Sequence, residues 1–367
     1  MQIRSSLIKY IDGIVGRTIC TIASQAAQTA DSTRVCNSFL VIRPGGIGDA
    51  VLTIPMLLAL RQLCPSGRID VLAEKRNSAV FLLTDSINTV YHYDDPGDLI
   101  AVMRISYDAV IDTEQWHRLS AIVARITSGG AVVGFSTNNR SKMLTHAVSY
   151  SHSDYEAESF MHLLIPFAQE TMERPDSPFL TVPNSADTVA RRFLEPLERS
   201  HLVALFPGGS VKEKRWGCDR FVSLSKRLLK KGYRIVVIGG SGDAVCGNSI
   251  SQADSTIINL CGRLSLVESA AAIKLSAVLI SGDSGVMHLA QGVGTSVVAL
   301  FGPSNTKKWA PRSGNSVTVT KNLPCSPCSQ FGYTAECAKT VDCLHQITED
   351  EVFECTVKLL ETSHGNN

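Results

Sequence analysis

Apolar, strand-like runs that end in small or charged residues recur along most of this chain, each followed by a segment long enough for a helix. SFLVIRP, RIDVLAE, TVYHYD, DAVIDTE and AVVGFS set this rhythm from Ser38 onward. It is the pattern of βαβ units built on a mostly parallel sheet. The stretch PDSPFLTVPNSADTVARRFLEP, rich in proline and polar residues, interrupts it. The rhythm then restarts with HLVALFPGG, YRIVVIGG, STIINLCG, AVLISGD and SVVALFG. At 367 residues the chain exceeds the length over which one core keeps growing, so two cores are expected. The fold class predicted is α/β, with two Rossmann-like, doubly wound domains facing across a cleft and ligands at strand carboxyl ends. The boundaries read from the pattern are an amphipathic segment over 1–37, a first domain over 38–185, a second over 186–346, and a final helix and tail over 347–367.

The first strand runs into a loop containing Gly45, Gly46 and Gly48, then a helix that starts near Asp49. A dinucleotide-binding turn would look similar, and Glu74 at the end of the next strand matches its ribose-binding acid. The fingerprint is broken at Val51, where a small residue belongs, and no Gly-Lys-Ser/Thr follows to make a P-loop. Asp49 also brings negative charge to a helix amino terminus that would otherwise attract phosphate. Like charges ~4 Å apart repel by several kcal/mol at a protein surface, which argues against a phosphate there. An aspartate here caps the helix or accepts a proton from a substrate hydroxyl, and the two roles are compatible. An unperturbed aspartate titrates near ~3.9 and is ionised at neutral pH, so placement is what such a base needs.

The second half carries the elements of an anion site. FPGGSVKEKRWG follows a strand and offers backbone amides, the Ser210 hydroxyl and the cations Lys212, Lys214 and Arg215. LISGDSGVMHLAQGVG ends a strand at Asp283 and starts a helix near Ser284, with His288 one turn in. The amides from Ser284 to Val286 would add donors at a helix amino terminus. Singly, Lys214 reads as a surface lysine, His288 as a core histidine and Asp283 as a capping acid. One switch-point crevice could hold all three. With 35 basic and 34 acidic residues the chain has no overall field for nucleic acid, so any anion site must be local.

GDAVLTIPML, then PGGS followed by KRW, then GDSGVMHLA and LFGPSNTKKWAP resemble, in that order, glycosyltransferase family 9, the ADP-heptose:lipopolysaccharide heptosyltransferases. The similarity runs from about Ser38 to near the carboxyl terminus. It implies a GT-B fold in which the first domain takes the acceptor and the second the nucleotide sugar. It further implies Asp49 as general base, Lys214 and Ser210 on the donor diphosphate, and Asp283, Ser284, Gly285 and His288 around the donor. Leu264, in GRLSL, would pack on the adenine. One departure is the Pro-Gly-Gly before Asp49, where some members carry serines. The reaction implied is an inverting transfer of heptose from ADP-heptose to a lipopolysaccharide-type glycolipid. Lys214, Arg215 and the helix at Ser284 would take up the leaving charge in place of a metal, since the chain has no Asp-x-Asp. No cofactor besides the donor is expected. Alternatives are a family 9 enzyme using another nucleotide sugar, a nucleotide-sugar-binding protein without catalysis and, third, a NAD-dependent oxidoreductase.

Two segments lie outside this scheme. Ile3, Leu7, Ile11, Ile14, Val15, Ile19 and Ile22 recur at helical spacing, with Arg4, Lys9 and Arg17 elsewhere, giving an amphipathic helix. Within residues 1–30 it either lies on the cytoplasmic face of the inner membrane or packs on the protein or a partner; charges interrupt any membrane span or signal core. Eleven cysteines, scattered and odd in number, fit reduced thiols in a cytoplasmic protein. Cys325, Cys328, Cys337 and Cys343 cluster in the segment 325–343. Zinc is disfavoured because the later pair lacks Cys-x-x-Cys spacing, and a structural or redox-sensitive patch is expected.

Overall fold

A computed structural model describes residues 10–25, 36–168, 172–194, 201–330, 334–337 and 340–364. The chain separates into two compact units, Met1–Pro175 and Asp176–Asn367. In the first, β1 (Ser38–Arg43), β2 (Arg68–Ala73), β3 (Thr89–His92), β4 (Tyr107–Asp112), β5 (Ser128–Phe135) and β6 (His146–Val148) form one parallel sheet in the order β3-β2-β1-β4-β5-β6. The second repeats the plan. Its β7 (Leu202–Phe206), β8 (Arg234–Val237), β9 (Ile258–Asn259), β10 (Val278–Gly282), β11 (Ser296–Phe301) and β12 (Ser316–Thr320) are ordered β12-β11-β10-β7-β8-β9. Strand order reverses between β1 and β4 and again between β7 and β10, and at such points loops part to leave a crevice at the strand carboxyl ends. β6 and β12 had no counterpart among the apolar runs: each is an edge strand, and an edge strand need not be apolar on both faces as central parallel strands are.

Central strands are buried throughout, so they read as continuous apolar runs: Leu40, Val41 and Ile42 in β1 and Val203, Ala204 and Leu205 in β7 are inaccessible to solvent. At the amino terminus a π turn, Asp12–Gly16, leads into α1 (Arg17–Ile22). α2 (Ile47–Leu63) follows β1 and is buried from Ala50 through Leu57. α3 (Leu119–Thr127) follows β4. In the second unit α4 (Cys218–Lys230), α5 (Gly285–Gly292) and α6 (Glu349–His364) complete the elements needed below. Among the described residues no helix is long and apolar enough to cross a membrane.

Two sequence expectations change. The segment from Asp176 belongs with the second unit, because the Phe179 and Leu180 amides both donate to the Gly292 carbonyl at 2.9 Å. The last helix, α6, has Val352, Leu359 and Leu360 in the second core beside Trp216 and Phe221. Trp216 anchors the turn before it by donating from Nε1 to the Ile347 carbonyl at 2.9 Å. Finally, the cysteines are not all reduced. Cys218 and Cys246 form a disulfide across a Cα–Cα distance of 5.6 Å, joining α4 to the helix Ala244–Ser251. An odd count shows only that at least one thiol is left over, and cannot reveal which pair folding brings together.

Candidate functional site

The β1/β4 switch point of the first unit is built around Arg43, the last residue of β1. Its buried guanidinium donates to the carbonyls of Pro44 (2.6 Å) and Thr113 (3.0 Å) and pairs with Glu114 at 3.4 Å. It thereby ties the loop after β1 to the loop after β4. Glu114 is deeply buried, which alone would raise its pKa, but Arg43 and then His117 overcome this and hold the carboxyl below its usual value. Gly45 has φ +111°, and a Cβ there would sit 3.1 Å from the Arg43 guanidinium, so the turn needs glycine. Its amide donates to Glu74 Oε1 at 3.1 Å. Glu74, which resembled a ribose-binding acid, therefore accepts the loop's own backbone.

Asp49 lies in the first turn of α2, with Gly46 as the N-cap residue in extended conformation. One carboxylate oxygen stands 3.3 Å from where a Gly46 Cβ would be, so the side chain folds back over the glycine turn. A partly buried hydrogen-bond network around Glu156 lies near it. Tyr150 donates to Glu156 at 3.0 Å, and Gln115 Nε2 donates to the same carboxylate at 2.5 Å. Burial first, then Glu156 and the nearby Asp49 charge, hold the Tyr150 phenol well above its usual value, so it stays a donor. Arg43, Glu114, Tyr150 and Glu156 were not singled out from the sequence. A charge at or just past the end of an apolar strand, Arg43 closing β1 and Glu114 two residues beyond β4, is the signal that could have found two of them.

The second unit presents a different chemistry at its β7/β10 switch point. Lys214 ends a 3-10 turn, Lys212–Lys214, after the glycine loop that follows β7. Its ammonium lies 2.6 Å from Asp283 Oδ2, at the end of β10, with the side chains only 16% and 10% exposed. Ser304 donates to the same oxygen at 2.5 Å. Burial raises the Asp283 pKa, but Lys214, Ser304 and His288 together outweigh it and the carboxyl titrates below its usual value. Ser284 is the N-cap of α5: its hydroxyl accepts from the Met287 amide at 3.2 Å and meets Ser281 Oγ at 2.9 Å. Gly285 opens the helix, and His288, buried on its next turn, has its ring centroid 6.5 Å from that of Trp309.

Gly282 makes this packing possible. A Cβ there would come within 2.6 Å of the Lys214 carbonyl oxygen, so Gly282→Ala must push the lysine turn off the strand end. Such overpacking costs roughly 1–3 kcal/mol, and a thermal melt is expected to show it as a lower midpoint.

The remaining candidates are more dispersed. Arg215 is exposed and donates from Nε and Nη2 to the Gly209 carbonyl at 2.8 and 2.6 Å, bracing the loop that carries Ser210, itself exposed. Leu264 is half-buried in the turn after β9, immediately before the N-cap Ser265 of the next helix. Around the cysteines, the Cys328 amide donates to the Pro303 carbonyl at 2.9 Å, and Cys343 Sγ lies 3.4 Å from where a Gly302 Cβ would be. That segment thus folds over the loop after β11. Burial first, then the neighbouring thiols, raise the Cys328 and Cys343 pKa values and favour protonated sulfur. Among the described residues no group of three or more His, Cys, Asp or Glu side chains is arranged to hold a metal ion. A cavity of about 410 Å³ lined by Asp176, Gly294, Arg312 and Asn315 sits where chains enter β11 and β12, at the other end of the sheet from Lys214.

Residues 100–339 match the model of glycosyltransferase family 9 (heptosyltransferase). The lipopolysaccharide heptosyltransferase 3 of Escherichia coli is 25% identical over 74% of this chain and 85% of its own length. A family 9 glycosyl transferase structure from Veillonella parvula superposes with a TM-score of 0.76 at 22% identity, covering 90% of this chain and 99% of that one. The ADP-heptose lps heptosyltransferase II of E. coli superposes with a TM-score of 0.72 at 20% identity, covering 89% and 99%. These structures share the fold of the two Rossmann-like domains, the GT-B class.

Proposed function

Because the chain belongs to glycosyltransferase family 9, and is a glycosyltransferase of the heptosyltransferase family, we propose that it moves heptose from ADP-heptose to a lipopolysaccharide-core acceptor in the cytoplasm, with inversion at the anomeric carbon. The donor and acceptor follow the names of its relatives. The observation that carries the chemistry is the Lys214 ammonium held 2.6 Å from Asp283 beside the start of α5.

In this reaction the acceptor hydroxyl gives its proton to Asp49 as its oxygen bonds to the anomeric carbon. The bond from that carbon to the diphosphate oxygen breaks, and ADP departs with the electron pair. Lys214 and the free amides at the start of α5 take up the growing negative charge. Asp283 and Ser304 aim the lysine, so it need not reorganise as charge develops. Ser210 and Arg215, on the loop after β7, are assigned to the same diphosphate, and Leu264 to the face of the adenine. His288 supports the Asp283 side chain from α5.

Calorimetry with a panel of nucleotide sugars tests the donor: ADP-heptose is expected to bind most tightly, and preference for another base or sugar replaces it. Turnover on a lipopolysaccharide-core acceptor then separates an enzyme from a binding protein. A lysine in the electrostatic role also predicts that turnover survives EDTA. Activity lost to chelation and restored only by Mn²⁺ or Mg²⁺ would contradict that assignment.

A further inference from the structure

The helical segment from Tyr10 to Ile22 is attached to the first unit by the wrong side for an ordinary amphipathic helix. Its inward residues are Asp12, Gly16 and Cys20, four apart and all buried. Asp12 reaches across to cap α3: Oδ1 accepts from the Arg118 amide at 2.6 Å and the Leu119 amide at 2.8 Å. Gly16 allows the close approach, since a Cβ there would stand 3.1 Å from Arg118 Cβ. Cys20 enters the core with Tyr107 and Met143, and Lys142 donates to the Thr21 carbonyl at 2.8 Å. The apolar stripe faces outward: Tyr10, Ile14, Val15 and Ile22 are 67%, 50%, 45% and 78% exposed, and Ile11 and Ile19 each 37%. Ile3, Leu7, Arg4 and Lys9, which continue the pattern in sequence, lie outside the described residues.

We propose that this outward face is a monotopic anchor that lies in the surface of a bilayer containing anionic phospholipid. A buried acid, a glycine and a cysteine hold the helix in place, so the six apolar side chains are not required for docking and are presented as a set. Among the described residues the segment runs for 13, interrupted by Asp12 and Arg17, short of the about 20 apolar residues that a hydrocarbon core of ~30 Å needs. It suits an in-plane helix, whose binding grows with buried apolar area and with attraction to anionic headgroups. Charge agrees: Arg17 is exposed on the segment and half-buried Lys142 lies beside its end, while its one acid, Asp12, is buried on the opposite side, bonded to the α3 amides and 3.8 Å from the Arg118 guanidinium. A second copy of the chain fits less well. A strip about 20 Å long and 10 Å wide falls far below the ~800 Å² that each partner gives to a stable protein interface. The inference goes beyond the transferase reading and does not depend on it.

The test is flotation of the full chain with vesicles of phosphatidylethanolamine and phosphatidylglycerol, beside vesicles of phosphatidylcholine alone. Protein is expected to float with the first and much less with the second. Ile14→Glu combined with Ile22→Glu should lower the partition coefficient on the order of a hundredfold, since burying each such side chain is worth about tenfold. Arg17→Glu should weaken the phosphatidylglycerol dependence. Both variants alter exposed positions, and unchanged circular dichroism and ADP calorimetry verify their folding. Wild-type protein that stays at the bottom of both gradients overturns the proposal. So does a dimer in size-exclusion chromatography that Ile14→Glu converts to monomer. The vesicles contain no glycolipid acceptor, so failure here leaves the proposed reaction standing, and failure of turnover leaves the anchor standing.

Discussion

Asp49→Asn is expected to fold, to bind ADP with wild-type affinity, and to turn over about 10²–10⁴-fold more slowly, the range typical of losing a general base. The amide has the shape of the carboxylate and can occupy the same place in the first turn of α2, folded over Gly46. It cannot take a proton from a hydroxyl. Because ADP is assigned to the second unit and Asp49 belongs to the first, the loss should fall on kcat and not on nucleotide affinity. Steady-state kinetics with saturating donor, alongside calorimetry of ADP, separates the two. Near-normal turnover would reduce Asp49 to a helix-terminus acid that interacts with the dipole of α2.

Lys214→Met is expected to fail in two measurements at once. Loss of a preorganised charge facing the leaving group lowers turnover by about 10²–10³-fold, and ADP affinity should fall with it. The variant also leaves Asp283 largely buried without its ammonium partner, and breaking a buried ion pair costs on the order of 3–5 kcal/mol. The sign with pH follows from the lowered Asp283 pKa. In the wild type the pair's stabilisation is present above the unfolded aspartate value of ~3.9 and is lost as pH falls through the lower folded value. Without Lys214 burial dominates and the carboxyl takes up its proton at higher pH. Urea denaturation should therefore show the largest gap between the two proteins at neutral pH and a closing gap in acid. Equal midpoints at neutral pH would mean that the pair is screened and that Asp283 does not depend on the lysine.

Much of the candidate site was readable because switch points repeat a simple grammar. A buried parallel strand must be apolar, and the first residues after it must be small or polar where the loop meets ligand. Gly45, Gly46 and Asp49 after β1 and Asp283 and Ser284 after β10 all stand out on that ground. Partners were harder to read. Arg43 and Glu114 are 71 residues apart, and Lys214 and Asp283 are 69 apart. No local spacing announces that either pair will meet. Arg215, assigned to the diphosphate from its neighbours, also donates to the Gly209 carbonyl, a contact that depends on how the loop turns. The disulfide has the same origin: Cys218 and Cys246 are 28 residues apart and meet only because two helices pack side by side.

The amino-terminal segment draws the division most clearly. Its helical period, apolar stripe and cations are properties of consecutive residues, and the sequence alone determined them, as it determined the two βα series and their glycine turns. Which side of that helix would face the protein was decided by tertiary structure. The bare amides at the start of α3 require an acceptor, and Asp12, from about a hundred residues earlier, supplies it. Periodicity records what a helix can bury; which groups lie opposite it, and what they lack, depends on parts of the chain that only folding brings near.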